Sequence, residues 1–273
     1  MSNPALRIFD VRGVRTLILG SGPIAATSAC VLSQAGATVF VADNNDAGLA
    51  RARDLSRARG TDFETVATDI TEQAAIDDLV GQIVLNHGGL DLAVLAHRSA
   101  RGASYLEATG RIEDADMSEW QSSLDDNLDA SFSAFQAVSA PMKRQGAGRI
   151  VVVAATGARR SDEFRGYGDV AAGGALVNIA RQAAFELAPH GILVNVVVPG
   201  PILGEVDGPD AGREDLDRYV NSVPLGRVGR PEDLEGVMLF LAGPGSSYVT
   251  GAVIAIDGGS LTRQNEVPTT VRR

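Results

Sequence analysis

Apolar residues along this chain fall into two alternating rhythms. Short runs rich in Val, Ile and Leu occupy residues 14–19, 38–42, 63–68, 90–96, 150–154, 193–198 and 253–256. Most are apolar throughout, without the every-second-residue alternation of a sheet with one wet face. They therefore predict strands buried on both faces, as in parallel sheets covered by helices. Between them, residues 23–35, 46–59, 72–86, 117–145, 168–188 and 231–241 predict helices. The alternation predicts an α/β fold, a doubly wound Rossmann-type parallel sheet of seven strands, as a single domain over residues 1–260 with a polar tail at 261–273. Residues 206–221, rich in Gly, Asp and Arg, predict a surface excursion with a short helix.

Composition narrows the function. A net charge of −10 argues against a nucleic-acid partner, which requires clustered Lys and Arg. Lys143 is the only lysine, so a phosphate loop ending Gly-Lys-Ser/Thr cannot exist, and its polar surroundings argue against a Schiff base. His87, His97, His190 and Cys30 show no ligand spacing, so no metal site is expected. A lone cysteine forms no internal disulfide, Met1-Ser2-Asn3-Pro4 does not open a signal peptide, and no apolar run approaches the length of a membrane span. The expectation is a cytoplasmic protein without a membrane partner.

The first strand runs into Gly20-Ser21-Gly22-Pro23-Ile24-Ala25, which fits Gly-x-Gly-x-x-Ala at a strand-to-helix turn. Glycines there let the backbone approach a dinucleotide pyrophosphate, and Pro23 is tolerated at a helix start, where its missing N–H is an orphan anyway. Strand two ends in Asp43, placed to accept hydrogen bonds from a ribose 2′-hydroxyl and to repel a 2′-phosphate.

These residues, with others, resemble the short-chain dehydrogenase/reductase (SDR) superfamily over nearly the whole chain. Asp69-Ile70-Thr71 is similar to the family's adenine-holding segment, and Asn127-Leu128 to the helix asparagine of its proton relay. Glu186 to Ile192, leading to Asn195 and Pro199-Gly200-Pro201-Ile202, resembles the sixth-strand signature. Pro224 to Arg227, Pro231 to Asp233, Tyr248 to Gly251 and Asp257-Gly258-Gly259 resemble the C-terminal motifs. The resemblance implies NAD(H) held by Gly20, Ser21, Gly22, Ile24, Asp43, Asp69, Ile70, Pro199, Gly200 and Ile202.

It also implies a tyrosine that exchanges the proton, a lysine four residues on and a serine at the end of strand five. Tyr167 is the expected tyrosine, with Asn127 as its relay partner. Ala171 stands at the lysine position and Ala155 at the serine position. Further departures remove cofactor contacts. The glycine loop is one residue short, Leu95-Ala96-His97-Arg98 replaces the family's Asn-Asn-Ala-Gly, and Gly204 falls where a threonine touches the cofactor.

Substitutes are conceivable. Thr156 offers a hydroxyl one residue on, His97 an acid or base at the carboxyl edge of the sheet, and Arg159, Arg160 or Arg165 a cation near the phenol. Each also has a plain reading as a loop residue, and Asp169 as a first-turn residue favoured by the helix dipole. Two glycines inside Ala171-Ala172-Gly173-Gly174-Ala175 cost about 1 kcal/mol each relative to alanine. They suggest close helix approach across a subunit interface, which the resemblance places at this helix and its predecessor. Two functional readings stay open. One is a non-catalytic or weakly active NAD(H)-binding subunit, in a homodimer, a homotetramer or a hetero-oligomer with an active SDR. The other is an atypical NAD(H)-dependent oxidoreductase acting on a small carbonyl or alcohol through a rebuilt relay.

Overall fold

The structure, a computed structural model, describes residues 4–97, 112–159, 166–205 and 213–262. Within them, seven strands form one parallel sheet: β1 (Arg15–Leu19), β2 (Thr38–Asp43), β3 (Glu64–Ala67), β4 (Leu92–Leu95), β5 (Gly148–Val153), β6 (Ile192–Pro199) and β7 (Val253–Ile256). Their order is β3-β2-β1-β4-β5-β6-β7. Ile18 pairs with Val41 on one side and Val94 on the other, so β1 lies inside the sheet next to the central β4, where the chain reverses its direction of travel across the sheet.

The continuous apolar runs follow from two cores, one on each face. Leu17, Leu19 and Leu95 pack on one side with Ile76, Val138 and Leu187. Ile18, Val41 and Val94 pack on the other with Ile24, Leu32 and Met238. Alternate strand residues enter opposite cores, so both sets must be apolar. The covering helices are α1 (Pro23–Gln34), α2 (Asp46–Arg59), α3 (Gln73–His87), α4 (Met117–Leu124), α5 (Ala130–Gln145), α6 (Tyr167–Leu187), α7 (Arg213–Ser222) and α8 (Glu235–Ala242). None among the described residues is long and apolar enough to cross a membrane.

Three sequence expectations need adjustment. The helix expected over 117–145 is broken by a π-helical turn, Asp125–Asp129, centred on Asn127. Asn127 Nδ2 donates to the Ser123 carbonyl at 3.0 Å and Ser131 Oγ to the Asn127 carbonyl at 2.7 Å, side-chain bonds that compete with the regular ladder. Of the excursion at 206–221, residues 206–212 lie outside the described residues, and α7 supplies the helix. At the expected tail, Ser260–Thr262 form a 3-10 turn with Leu261 against the core, and residues 263–273 lie outside the described residues.

Candidate functional site

The candidate site gathers at the carboxyl ends of β1, β4, β5 and β6, where open α/β sheets bind their ligands. Gly20 adopts φ +113°, and a Cβ there would lie 2.7 Å from the Ala96 carbonyl oxygen, so only glycine lets the turn after β1 pass so close to the end of β4. Gly22 caps α1 in extended conformation, with Pro23 opening the helix. Ser21 Oγ donates to Asp43 Oδ2 at 2.6 Å, and the Asn45 backbone N–H donates to Oδ1 at 3.1 Å. Asp43 is thus buried at the end of β2 with both oxygens engaged.

Beside it, Asp69 accepts from the Thr71 backbone N–H (3.0 Å) and hydroxyl (2.6 Å) and from Asn44 Nδ2 (3.4 Å), which fixes the end of β3 to the end of β2. Ile70 is buried in the core beneath. His97, just after β4, faces Asp43, Asp126 and Asp69 and hydrogen-bonds the Asp126 backbone. Burial pushes its imidazole below the ordinary value, against the pull of those carboxylates. His97 Nε2 and Asp126 Oδ2 are both buried with no hydrogen-bond partner among the described residues. Arg98 lies outside the described residues.

Tyr167 and Asn127, the expected relay pair, do not hydrogen-bond each other among the described residues. Tyr167 is the first residue of α6, 46% exposed, and among the described residues its hydroxyl has no hydrogen-bond partner. Asp169, two residues on, is the α6 side chain that meets Asn127. Its Oδ1 accepts from Ser123 Oγ, and Asn127 Nδ2 lies 3.5 Å from the same oxygen. Two residues turn an α-helix by about 200°, so Tyr167 and Ala171 project from the side opposite Asp169 and Gly173. α6 can press its Asp169 face on α4 because Gly168 lacks a side chain: a Cβ there would lie 2.6 Å from Ser123 Cβ and 3.2 Å from the Trp120 carbonyl oxygen.

One turn beyond Asp169, Gly173 is buried against the turn that follows β5, where a Cβ would sit 3.2 Å from Ala158 Cβ. This glycine therefore serves a contact within the chain rather than the expected subunit interface, whereas Gly174 faces open space. Ala155, two residues past the end of β5 and capping the turn that follows, has no hydroxyl. Thr156 is buried in the following turn and Arg159 is exposed at its end, while Arg160 and Arg165 lie outside the described residues.

On the far side, β6 ends at Pro199, and Gly200 passes so close to Asp257 that a Cβ would lie 2.8 Å from Asp257 Cα. Ile202 is buried and bridges to Gly229, and Leu203 N–H donates to the Gly229 carbonyl at 2.8 Å. The chain then turns at Gly204, φ +81°, back over Pro23. Sequence reasoning named neither Ser123, Asp126 nor Glu205 here. Helical spacing offered a signal for Ser123, four residues before Asn127; nothing local marks Glu205. Among the described residues, no group of three or more His, Cys, Asp or Glu side chains is arranged to hold a metal ion.

A seven-stranded parallel sheet with a glycine turn at the β1/β4 reversal and an acidic residue closing β2 defines the Rossmann class of nucleotide-binding folds. Residues 20–260 match the family model described as enoyl-(acyl carrier protein) reductase. Cyclohexanol dehydrogenase from Rhodococcus sp. (strain TK6) is 35% identical over 192 residues, 70% of each chain. Gluconate 5-dehydrogenase from Gluconobacter oxydans (strain 621H) is 30% identical over 264 residues, covering 95% of this chain and 98% of that one. The crystal structure of a gluconate 5-dehydrogenase from Burkholderia cenocepacia J2315, in complex with NADP and tartrate, superposes with a TM-score of 0.82 at 26% identity, covering 95% of this chain and all of that one. The chain belongs to the short-chain dehydrogenase/reductase superfamily.

Proposed function

We propose that this chain is an NAD(H)-binding SDR subunit that is non-catalytic or weakly active, working as a homodimer or homotetramer or beside an active relative. The observation that carries this reading is Asp169, with Gly173 one turn on, facing Asn127 and the end of β5 where the family's relay would stand. A bound nicotinamide would supply the hydride chemistry. The chain's own contribution is what is missing. Ala155 has no hydroxyl to hold a carbonyl oxygen, and Gly173 has no cation to hold a ribose or favour a neighbouring anion. Asp169 accepts a hydrogen bond from Ser123 where a tyrosine would donate. The same pair of substitutions serves the family role less well than Tyr167 with Ala171, because it removes the phenol as well as the ammonium.

The Gly20–Gly22 turn and Asp43 remain suited to the adenosine end of a dinucleotide. Ser21 holds the Asp43 carboxylate at the end of β2, where a 2′-phosphate would meet a fixed negative charge. A second reading, a rebuilt NAD(H)-dependent oxidoreductase for a small carbonyl or alcohol, draws on the Asp169 carboxylate beside Asn127 and on relatives named as dehydrogenases of cyclohexanol and gluconate.

Titration calorimetry with NADH and NADPH tests the binding claim, and a similar structure holding NADP makes the choice of cofactor a real risk. NADH is expected to bind the tighter by at least tenfold, and Asp43→Ser to erase that preference. Tighter NADPH binding by the wild-type protein would remove the role given to Asp43.

A further inference from the structure

In a Rossmann turn the second glycine is needed because the pyrophosphate packs where its Cβ would be. At Gly22 that space is already taken by a side chain of the same chain: a Cβ there would lie 3.1 Å from Glu205 Oε1. Glu205 is carried in by a braced segment. The Ile202–Gly229 bridge and the Leu203-to-Gly229 hydrogen bond fix its base, and the Glu205 N–H donates to the Ile202 carbonyl at 3.0 Å. Gly204, at φ +81°, brings the backbone so near α1 that a Cβ on it would lie 2.7 Å from Pro23 Cγ. A side chain at position 204 would hold this turn away from α1; glycine lets it close.

We infer that Glu205 is an intramolecular anion that occupies the pyrophosphate position at the start of α1, so that a dinucleotide binds only by displacing it. The inference rests on the nucleotide-binding reading and adds a regulatory contact to it. α1, at 12 residues, opens with Pro23, which has no N–H, so its end offers the N–H groups of Ile24 and Ala25 and the partial positive charge of the helix. The Glu205 carboxylate lies against that end of the helix. An incoming pyrophosphate meets like charge there at van der Waals range and must drive the 201–205 turn outward. Phosphate-bearing ligands therefore bear the penalty, and ligands lacking phosphate do not.

The test compares wild type with Glu205→Gln, which keeps the shape of the side chain and removes its charge, using calorimetry for NADH and ADP-ribose and ligand-observed NMR for adenosine. The expected result is an affinity gain of tenfold or more for both phosphate-bearing probes, with adenosine binding unchanged. Glu205→Ser, which withdraws the side chain altogether, should give the same pattern and serves if the glutamine variant melts abnormally. Unchanged NADH affinity alongside measurable adenosine binding would overturn the inference while leaving the nucleotide site intact. An equal gain for adenosine would also overturn it, since it would report a loosened cleft and not a relieved charge. Absence of binding by all three probes in every variant would overturn this inference and the nucleotide-binding reading together.

Discussion

Replacing Gly48 with alanine should break a hydrogen bond that Gly48 itself does not make. Gly48 lies in the first turn of α2, where its N–H is capped by Asn45 Oδ1 at 3.0 Å. A methyl group there would overlap Ser21 Oγ outright and approach Ser21 Cβ to 3.1 Å and Asn45 Cγ to 3.3 Å. The hydroxyl can escape by rotating, but it then leaves Asp43 Oδ2, with which it shares a buried bond of 2.6 Å. A hydrogen bond to a charged group contributes about 1.5–3 kcal/mol. Alanine recovers about 1 kcal/mol or less over glycine in a helix, at the low end so near the N-terminus. The net cost is about 1–2 kcal/mol, or about 3–6 °C in Tm for a chain of this size. Thermal melts followed by circular dichroism at fixed protein concentration would measure it. Ser21→Ala removes the bond without a clash and should cost about as much. The two changes together should then cost little more than either alone, because the double variant has one bond to lose. Costs that add to within about 0.5 kcal/mol would refute the coupling of Gly48, Ser21 and Asp43.

Two further outcomes follow from other contacts. Asp91 accepts from Arg15 Nε at 2.6 Å, Arg15 Nη2 at 2.7 Å and the Arg15 backbone N–H at 2.9 Å, which ties the starts of β1 and β4 together. Burial pushes the Asp91 carboxyl up, and the Arg15 hydrogen bonds and charge more than offset this, so it sits below its ordinary value. A depressed folded value means the stabilisation is complete above the unfolded carboxyl's value, about 3.9, and is lost as pH falls below it. Asp91→Asn should therefore destabilise by about 1–3 kcal/mol at pH 7, and urea denaturation should show that gap closing toward pH 3; a gap that widens in acid would contradict the assignment. Light scattering should find a dimer or tetramer at micromolar concentration, and a clean monomer would remove the subunit role in both its homomeric and mixed forms.

Strand positions were legible because burial on both faces leaves little room for polar residues. All seven runs became strands, with ends shifted by at most two residues. The π-helical turn at Asn127 was not legible, since the apolar spacing runs straight through it; side-chain bonds from Asn127 to the Ser123 carbonyl and from Ser131 to the Asn127 carbonyl accompany it. Which face of α6 turns toward Asn127 was not legible for a related reason. A pattern of residues four apart fixes a stripe on a helix but not which way the stripe faces, so Tyr167 with Ala171 and Asp169 with Gly173 are alike in sequence. The glycine at 168, which lets α6 press on α4, turns Asp169 and Gly173 inward instead. Glu205 could not be found from sequence at all, because its approach to Gly22 depends on the Ile202–Gly229 bridge and the turn at Gly204.

The proposed function keeps the SDR scaffold while the α6 face against Asn127 carries Asp169 and Gly173 in place of a phenol and an ammonium. The most direct measurement is absorbance at 340 nm during incubation of the purified protein with saturating NAD⁺ and either cyclohexanol or gluconate, the alcohols named for two relatives. Little or no reduction of NAD⁺ is expected, and neither Asp169→Asn nor Tyr167→Phe should change that background. Robust turnover abolished by Asp169→Asn would contradict the account in favour of a rebuilt relay, and robust turnover abolished by Tyr167→Phe would return the proton exchange to Tyr167.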